Sequence, residues 1–126
     1  PTLCAQGGAP SGMALLYDGG TAADLAVLTN MLVRVVGVEP TDVLTLHPRA
    51  CAACDDAIRA QVEAARPRVI LALGRLSGAL LGSEPGRWTQ LLGTPAVATW
   101  HPAEQGGDAQ RKRAAFEVLK QVAARR

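Results

Sequence analysis

A chain of 126 residues, 48% of them hydrophobic, holds apolar material for one core and is too short for two ordinary domains. No window reaches the roughly 18 uninterrupted apolar residues of a membrane span, and Pro1 to Ser11 lacks the basic-then-apolar order of a signal peptide, so a cytoplasmic protein without membrane contact is expected. The net charge of +2 points by itself to neither nucleic acid nor membrane, and three cysteines, an odd number, argue against a disulfide framework.

Residues 1–11, rich in Gly, Pro and Ala, read as an irregular leader, and residues 12–126 as a single domain. Pro rather than Met at position 1 implies an amino-terminal piece that is not part of this chain. The first strand is Met13-Ala14-Leu15-Leu16-Tyr17, stopped by Asp18-Gly19-Gly20. Thr21 with Asp24 three residues later resembles a capping box, and Leu25, Leu28, Leu32 and Val35 repeat at helical spacing until Gly37 supplies a stop. After a turn at Glu39-Pro40-Thr41, Asp42 to His47 reads as a second strand ended by Pro48. A helix from about Cys51 to Ala65 presents Ile58, Val62 and Ala65 on one side, and Pro67 forces its end.

The run Arg66-Pro67-Arg68-Val69-Ile70-Leu71-Ala72-Leu73-Gly74 is the most apolar stretch of the chain. It predicts a central strand buried on both faces that feeds a short helix over Arg75 to Leu81. Gly82 to Gly93, with Pro85 and Gly86, reads mainly as a loop. A fourth strand, Ala96 to His101, ends at Pro102, and a last helix from about Asp108 carries Ala115, Val118, Leu119 and Val122 inward with its arginines outward. Strand and helix thus alternate four times. That pattern predicts an α/β fold, a three-layer α/β/α sandwich on a four-stranded parallel sheet. Ligands of such sheets sit at the carboxyl ends of the strands, where the strand order reverses. The residues predicted there are Asp18, Gly19, His47, Gly74 and His101, and they form the candidate binding set.

One carboxylate and two imidazoles on one rim could do acid–base work or steady a cationic transition state, or could simply be polar strand ends meeting water. Cys51-x-x-Cys54 could contribute to a metal or redox site, but no second pair exists and Cys4 is distant, so ordinary thiols and no metal site are expected. Asp18-Gly19-Gly20-Thr21 could receive a phosphate at a helix start, yet lacks a full phosphate-loop fingerprint and carries an acid that repels anions; a tight turn is the expectation. Trp88 and Trp100 are read as packing residues rather than base-stacking platforms. The cations Arg111, Lys112, Arg113, Lys120, Arg125 and Arg126, set against Glu117 alone, form either a solvated helix face or a surface for an anionic partner.

Several segments resemble the uracil-DNA glycosylase superfamily, and in particular its bacterial iron-sulfur branch, family 4. Cys54, Ile58, Gln61 and the Arg66 to Gly74 run resemble that branch's cysteine, helix and "P-K-V-I-V-A-L-G" segment. Gly86-Arg87-Trp88 and Gly93 to Pro102 resemble its "G-R-W … T-Y-H-P-S" segment, and Lys112-Arg113 its tail. The resemblance implies a glycosylase-like fold and, if the chemistry is retained, hydrolysis of the N-glycosidic bond of uracil. Asp18 would then position the water or stabilise the sugar cation, and His101 would stabilise the departing uracil anion. The departures run the other way. The segment carrying the uracil-stacking Phe is missing after Tyr17-Asp18-Gly19-Gly20, His47 stands where the family has its uracil-reading Asn, and three cysteines replace the four that hold the family's cluster, so no cofactor is expected.

The chain also resembles the family of the bacterial DNA polymerase III psi subunit, small α/β/α proteins without a catalytic site. There too the first strand passes through a short polar turn straight into a helix, and a "V-S-P-D-Q-V-L-Q-L-T-P" segment is very like Val38 to Pro48. This resemblance implies a non-catalytic replication scaffold that links the clamp loader to the chi subunit and single-stranded DNA-binding protein, with only indirect or weak DNA contact. It is the favoured expectation, and uracil excision is the alternative.

Overall fold

The computed structural model describes residues 5–6, 12–18, 21–39, 43–46, 52–82, 84–105 and 107–125. Six strands make one mixed sheet: β1 (Ala5–Gln6), β2 (Met13–Tyr17), β3 (Leu44–Leu46), β4 (Val69–Leu73), β5 (Trp88–Leu91) and β6 (Thr94–Thr99), in the order β1-β3-β2-β4-β6-β5. The four expected strands pair in parallel as β3-β2-β4-β6. The sheet is nevertheless not purely parallel, because an antiparallel strand closes each edge. One of these, β1, lies in the stretch expected to be an irregular leader. The other, β5, lies in the stretch expected to be loop; it turns back into β6 through Leu92 (φ 53) and Gly93 (φ 81), the paired positive φ values of a two-residue hairpin.

Five helices accompany the sheet among the described residues: α1 (Ala22–Met31), α2 (Ala52–Ala65), α3 (Arg75–Leu81), α4 (Pro102–Gln105) and α5 (Ala109–Arg125). The expected capping box opens α1: Asp24 N–H donates to Thr21 Oγ1 (3.1 Å) and Thr21 N–H donates to Asp24 Oδ2 (3.0 Å). The α-helical winding stops sooner than expected. Leu32–Val36 widens into a π-helical turn, closed by Gly37 at φ 81 whose N–H reaches Leu32 O at 2.8 Å. Three valines in this turn, Val33, Val35 and Val36, are β-branched residues that crowd an α-helix, and the wider turn buries both Leu32 and Val36.

The period of two along each strand divides the core between the two faces. Met13, Leu15, Tyr17, Val69, Leu71, Leu73 and Val97 face α1, the π turn and α5, where Leu28, Leu32, Val118, Leu119 and Val122 meet them. Ala14, Leu16, Leu44, Leu46, Ile70, Ala72, Ala96 and Ala98 face the other way, against Ile58, Val62 and Leu81 of α2 and α3. Helices therefore cover both faces, in three layers. As predicted, β4 is central and buried along its whole length, flanked by β2 and β6. No helix among the described residues is long and apolar enough to cross a membrane.

Candidate functional site

The strand order reverses between β2 and β4. From β2 the chain leaves through α1 toward β3; from β4 it leaves through α3 toward β6 on the other side. Asp18 and Gly74 are the residues that follow these two strands, and His101 follows β6 by two residues. The ladder continues one step past the strands, with Asp18 N–H donating to Leu73 O at 3.0 Å.

Three of the five predicted rim residues, Asp18, Gly74 and His101, come together. Asp18 Oδ1 accepts the backbone N–H of Ser77 (2.9 Å) and the Ser77 hydroxyl (2.6 Å). Ser77 lies in the first turn of α3 and is completely buried. The carboxylate thus occupies the place an incoming anion would take at that helix start, held by amide hydrogens whose field favours negative charge. Gly74 makes the approach possible: it sits at φ +113, and a Cβ there would collide with Cγ and Oδ2 of Asp18. The predicted Gly19 and His47 lie outside the described residues, as do Cys4 and Cys51 and the side chain of Cys54.

His101 is 3% exposed and both of its ring nitrogens are engaged. Ala103 N–H donates to Nδ1 at 3.0 Å, so in the neutral ring the hydrogen resides on Nε2, which lies 2.8 Å from the backbone oxygen of Asp18 and donates to it. The ring also stacks on Tyr17, centroids 4.6 Å apart and planes 15° from parallel. β6 stops at Thr99, two residues short of the strand end expected at His101, and His101 instead caps α4. Pro102 occupies the first helical position, the His101 carbonyl accepts from Glu104 and Gln105, and Glu104 Oε1 accepts the His101 N–H at 3.1 Å. The Glu104 half is that of a capping box, while the imidazole accepts from the second helical amide, Ala103, instead of the third. The signal of this cap was in the sequence, as a proline after the cap and a glutamate three residues beyond it.

A recess of about 560 Å³ opens beside this rim, lined by Gly74, Gly78, Ala98, Thr99, Trp100 and Glu104 among others. Neither Asp18 nor His101 lines it, and no carboxamide does among the described residues. One wall is aromatic, Trp100, across whose ring the Arg111 guanidinium lies at 4.3 Å. Trp88 is covered in the same way by Arg125, at 4.1 Å, and its Nε1 donates to Gln121 Oε1 at 2.6 Å. Part of the basic tail is therefore packed on the aromatic residues of its own domain, which spacing alone did not reveal. Arg111 in addition pairs with Asp108 at 3.4 Å and donates to Glu104 O at 3.0 Å.

Burial raises the pKa of the Tyr17 phenol above the ordinary 10.0, and the Asp24 charge adds to the effect. No group of three or more His, Cys, Asp or Glu residues able to hold a metal ion occurs among the described residues. Compared with known proteins, the chain matches no family model and no curated protein.

Proposed function

We propose that this chain is a non-catalytic protein of the glycosylase-like α/β/α type, acting as a scaffold in DNA replication in the manner of the DNA polymerase III psi subunit. The observation that carries the proposal is the state of the two residues on which base excision would depend. The Asp18 carboxylate holds the start of α3 through Ser77, and both nitrogens of His101 are bonded within the fold. A glycosylase needs an acid that faces the sugar and a donor that faces the leaving base, inside an enclosure that repays the cost of unstacking. A carboxylate already hydrogen-bonded to a helix start and an imidazole already donating to a carbonyl are poorly placed for either task. The apolar surface left open by α1 and α5, with Val27 and Phe116 each 44% exposed, supplies what a scaffold requires.

Uracil excision is the rival reading, and the convergence of Asp18 and His101 on one rim is the observation in its favour. Two assays on the purified chain separate the two. The scaffold reading expects retention of the clamp loader or the chi subunit of the same organism on the immobilised protein, and no abasic sites in uracil-containing single-stranded DNA. Abasic sites that disappear with Asp18→Asn would establish the enzyme instead. Failure to retain any replication protein would remove the scaffold role.

A further inference from the structure

A groove of about 380 Å³ runs between α1, α4 and α5, with Val27 and Met31 on one wall and Ala115, Phe116 and Leu119 on the other. It lies where α5 packs against the π turn at one end and α4 contacts both α1 and α5 at the other. Single exposed apolar side chains are ordinary. Here, however, two large ones, Val27 and Phe116, line the same groove with the apolar side chains between them, a continuous surface of the kind that marks an interaction site.

Among the described residues that line the groove the one charged side chain is a cation. Lys112 lines it, one helical turn before Phe116; Lys120 lies one turn after, its Nζ 4.6 Å from the Phe116 ring. No acid lines the groove among the described residues. Lys120 shares only an exposed 3.6 Å contact with Glu117, and Lys112 and Arg113 make no ion pair among the described residues. An apolar channel between two helices accepts a third helix by ridge-into-groove packing, and cations along its border select carboxylates on that helix.

We propose that this groove is the docking site for an acidic amphipathic helix of a partner protein, its apolar ridge placed between Val27 and Phe116 and its carboxylates on Lys112 and Lys120. The inference rests on the scaffold reading for its biological setting, and on the groove alone for its chemistry. A library of displayed helical peptides of about four turns, randomised in both apolar and charged positions, is panned on the 126-residue chain. The expected result is enrichment of large apolar residues at i, i+3 or i+4 and i+7 flanked by Asp and Glu. The selected peptide, measured by fluorescence anisotropy, is expected to lose roughly tenfold or more in affinity with Phe116→Ala and to weaken as salt rises. With Lys112→Glu the preference is expected to shift toward a version of the peptide carrying Lys in place of its acids. Both positions are exposed, and circular dichroism checks that each variant folds.

Enrichment of basic or uncharged peptides, no enrichment at all, or binding indifferent to both variants would overturn the proposal. So would displacement of the peptide by single-stranded DNA with loss of DNA binding in Phe116→Ala, which would identify a nucleic-acid surface. Peptide binding without recovery of any replication protein would leave the groove assignment standing and remove the replication role. Recovery of replication proteins undiminished by Phe116→Ala and Lys112→Glu would do the reverse.

Discussion

Replacing Asp18 with alanine distinguishes a carboxylate that holds the fold from one kept for chemistry. The substitution removes the acceptor of two hydrogen bonds, from the Ser77 N–H at 2.9 Å and the Ser77 hydroxyl at 2.6 Å. Hydrogen bonds to a charged group contribute about 1.5–3 kcal/mol each, and a buried donor left without a partner costs about 1–3 kcal/mol. Asp18 itself is half-buried, so water can reach part of the vacated space; the two losses also overlap. The expected net destabilisation is about 2–4 kcal/mol, a large share of the roughly 5–15 kcal/mol that stabilises a domain. At this chain length that corresponds to a fall in Tm of roughly 10 °C. Ser77→Ala keeps the backbone donor and is expected to cost about 1–2 kcal/mol, and the double variant less than the sum of the two, with a coupling of about 1 kcal/mol. Calorimetry or urea titration of the four proteins measures all three quantities. Residues positioned for catalysis commonly destabilise a fold, so that removing them leaves it as stable or more so. An unchanged or raised Tm in Asp18→Ala would therefore refute the structural assignment.

Gly74→Ala should be more damaging than any other glycine substitution along the rim. At φ +113 its Cβ meets the Asp18 side chain, whereas Gly82→Ala, at φ +67 with open space around it, is expected to lose only about 1 kcal/mol; the ratio of soluble yields and the urea midpoints report the difference. Glu104→Ala removes the Glu104 half of the His101 cap and is expected to cost about 0.5–2 kcal/mol without altering the sheet, as read from urea midpoints and circular dichroism. Tyr17 is expected to contribute to the alkaline limb of stability. Its phenol titrates at higher pH folded than unfolded, so the folded state holds the proton longer, and the contribution is complete below about pH 10 and lost as pH rises through the folded value. Because the chain contains a single tyrosine, tyrosinate absorbance follows that group alone. Tyr17→Phe should flatten the decline in Tm above pH 10, and an unaltered decline would contradict the assignment.

The sheet was legible where burial dictates composition. Val69 to Leu73 is apolar at every position because both faces are covered, and that left no alternative to a central strand. The inward face of α5 was legible for a related reason: Ala115, Val118, Leu119 and Val122 sit at helical spacing among charged residues. The edge strands were not. β1 is two residues long in a stretch dominated by Gly, Pro and Ala, and β5, Trp-Thr-Gln-Leu, stands between glycines with a pattern too short to separate from a loop. At the site, position along the chain placed Asp18, Gly74 and His101 on one rim, since the ends of parallel strands share an edge. What they do there depends on Ser77, 59 residues from Asp18, and on a four-residue helix after His101. Neither follows from strand spacing. The arginines stacked on Trp88 and Trp100 were hidden for the same reason, because a cation–aromatic contact across 11 or 37 residues leaves no periodic trace.

The two antiparallel strands at the margins of the sheet have a consequence for how the protein behaves in solution. Without them the outermost parallel strands, β3 and β6, would each present a row of unsatisfied amides and carbonyls, a template on which another molecule's chain can assemble. With them, among the described residues, what faces outward is a two-residue stub on one side and, on the other, a short hairpin arm whose tryptophan is covered by Arg125. A molecule guarded in this way can hold a helix face open for association and still resist fibrous aggregation, because the hazardous kind of contact, backbone to backbone, is the kind its borders discourage.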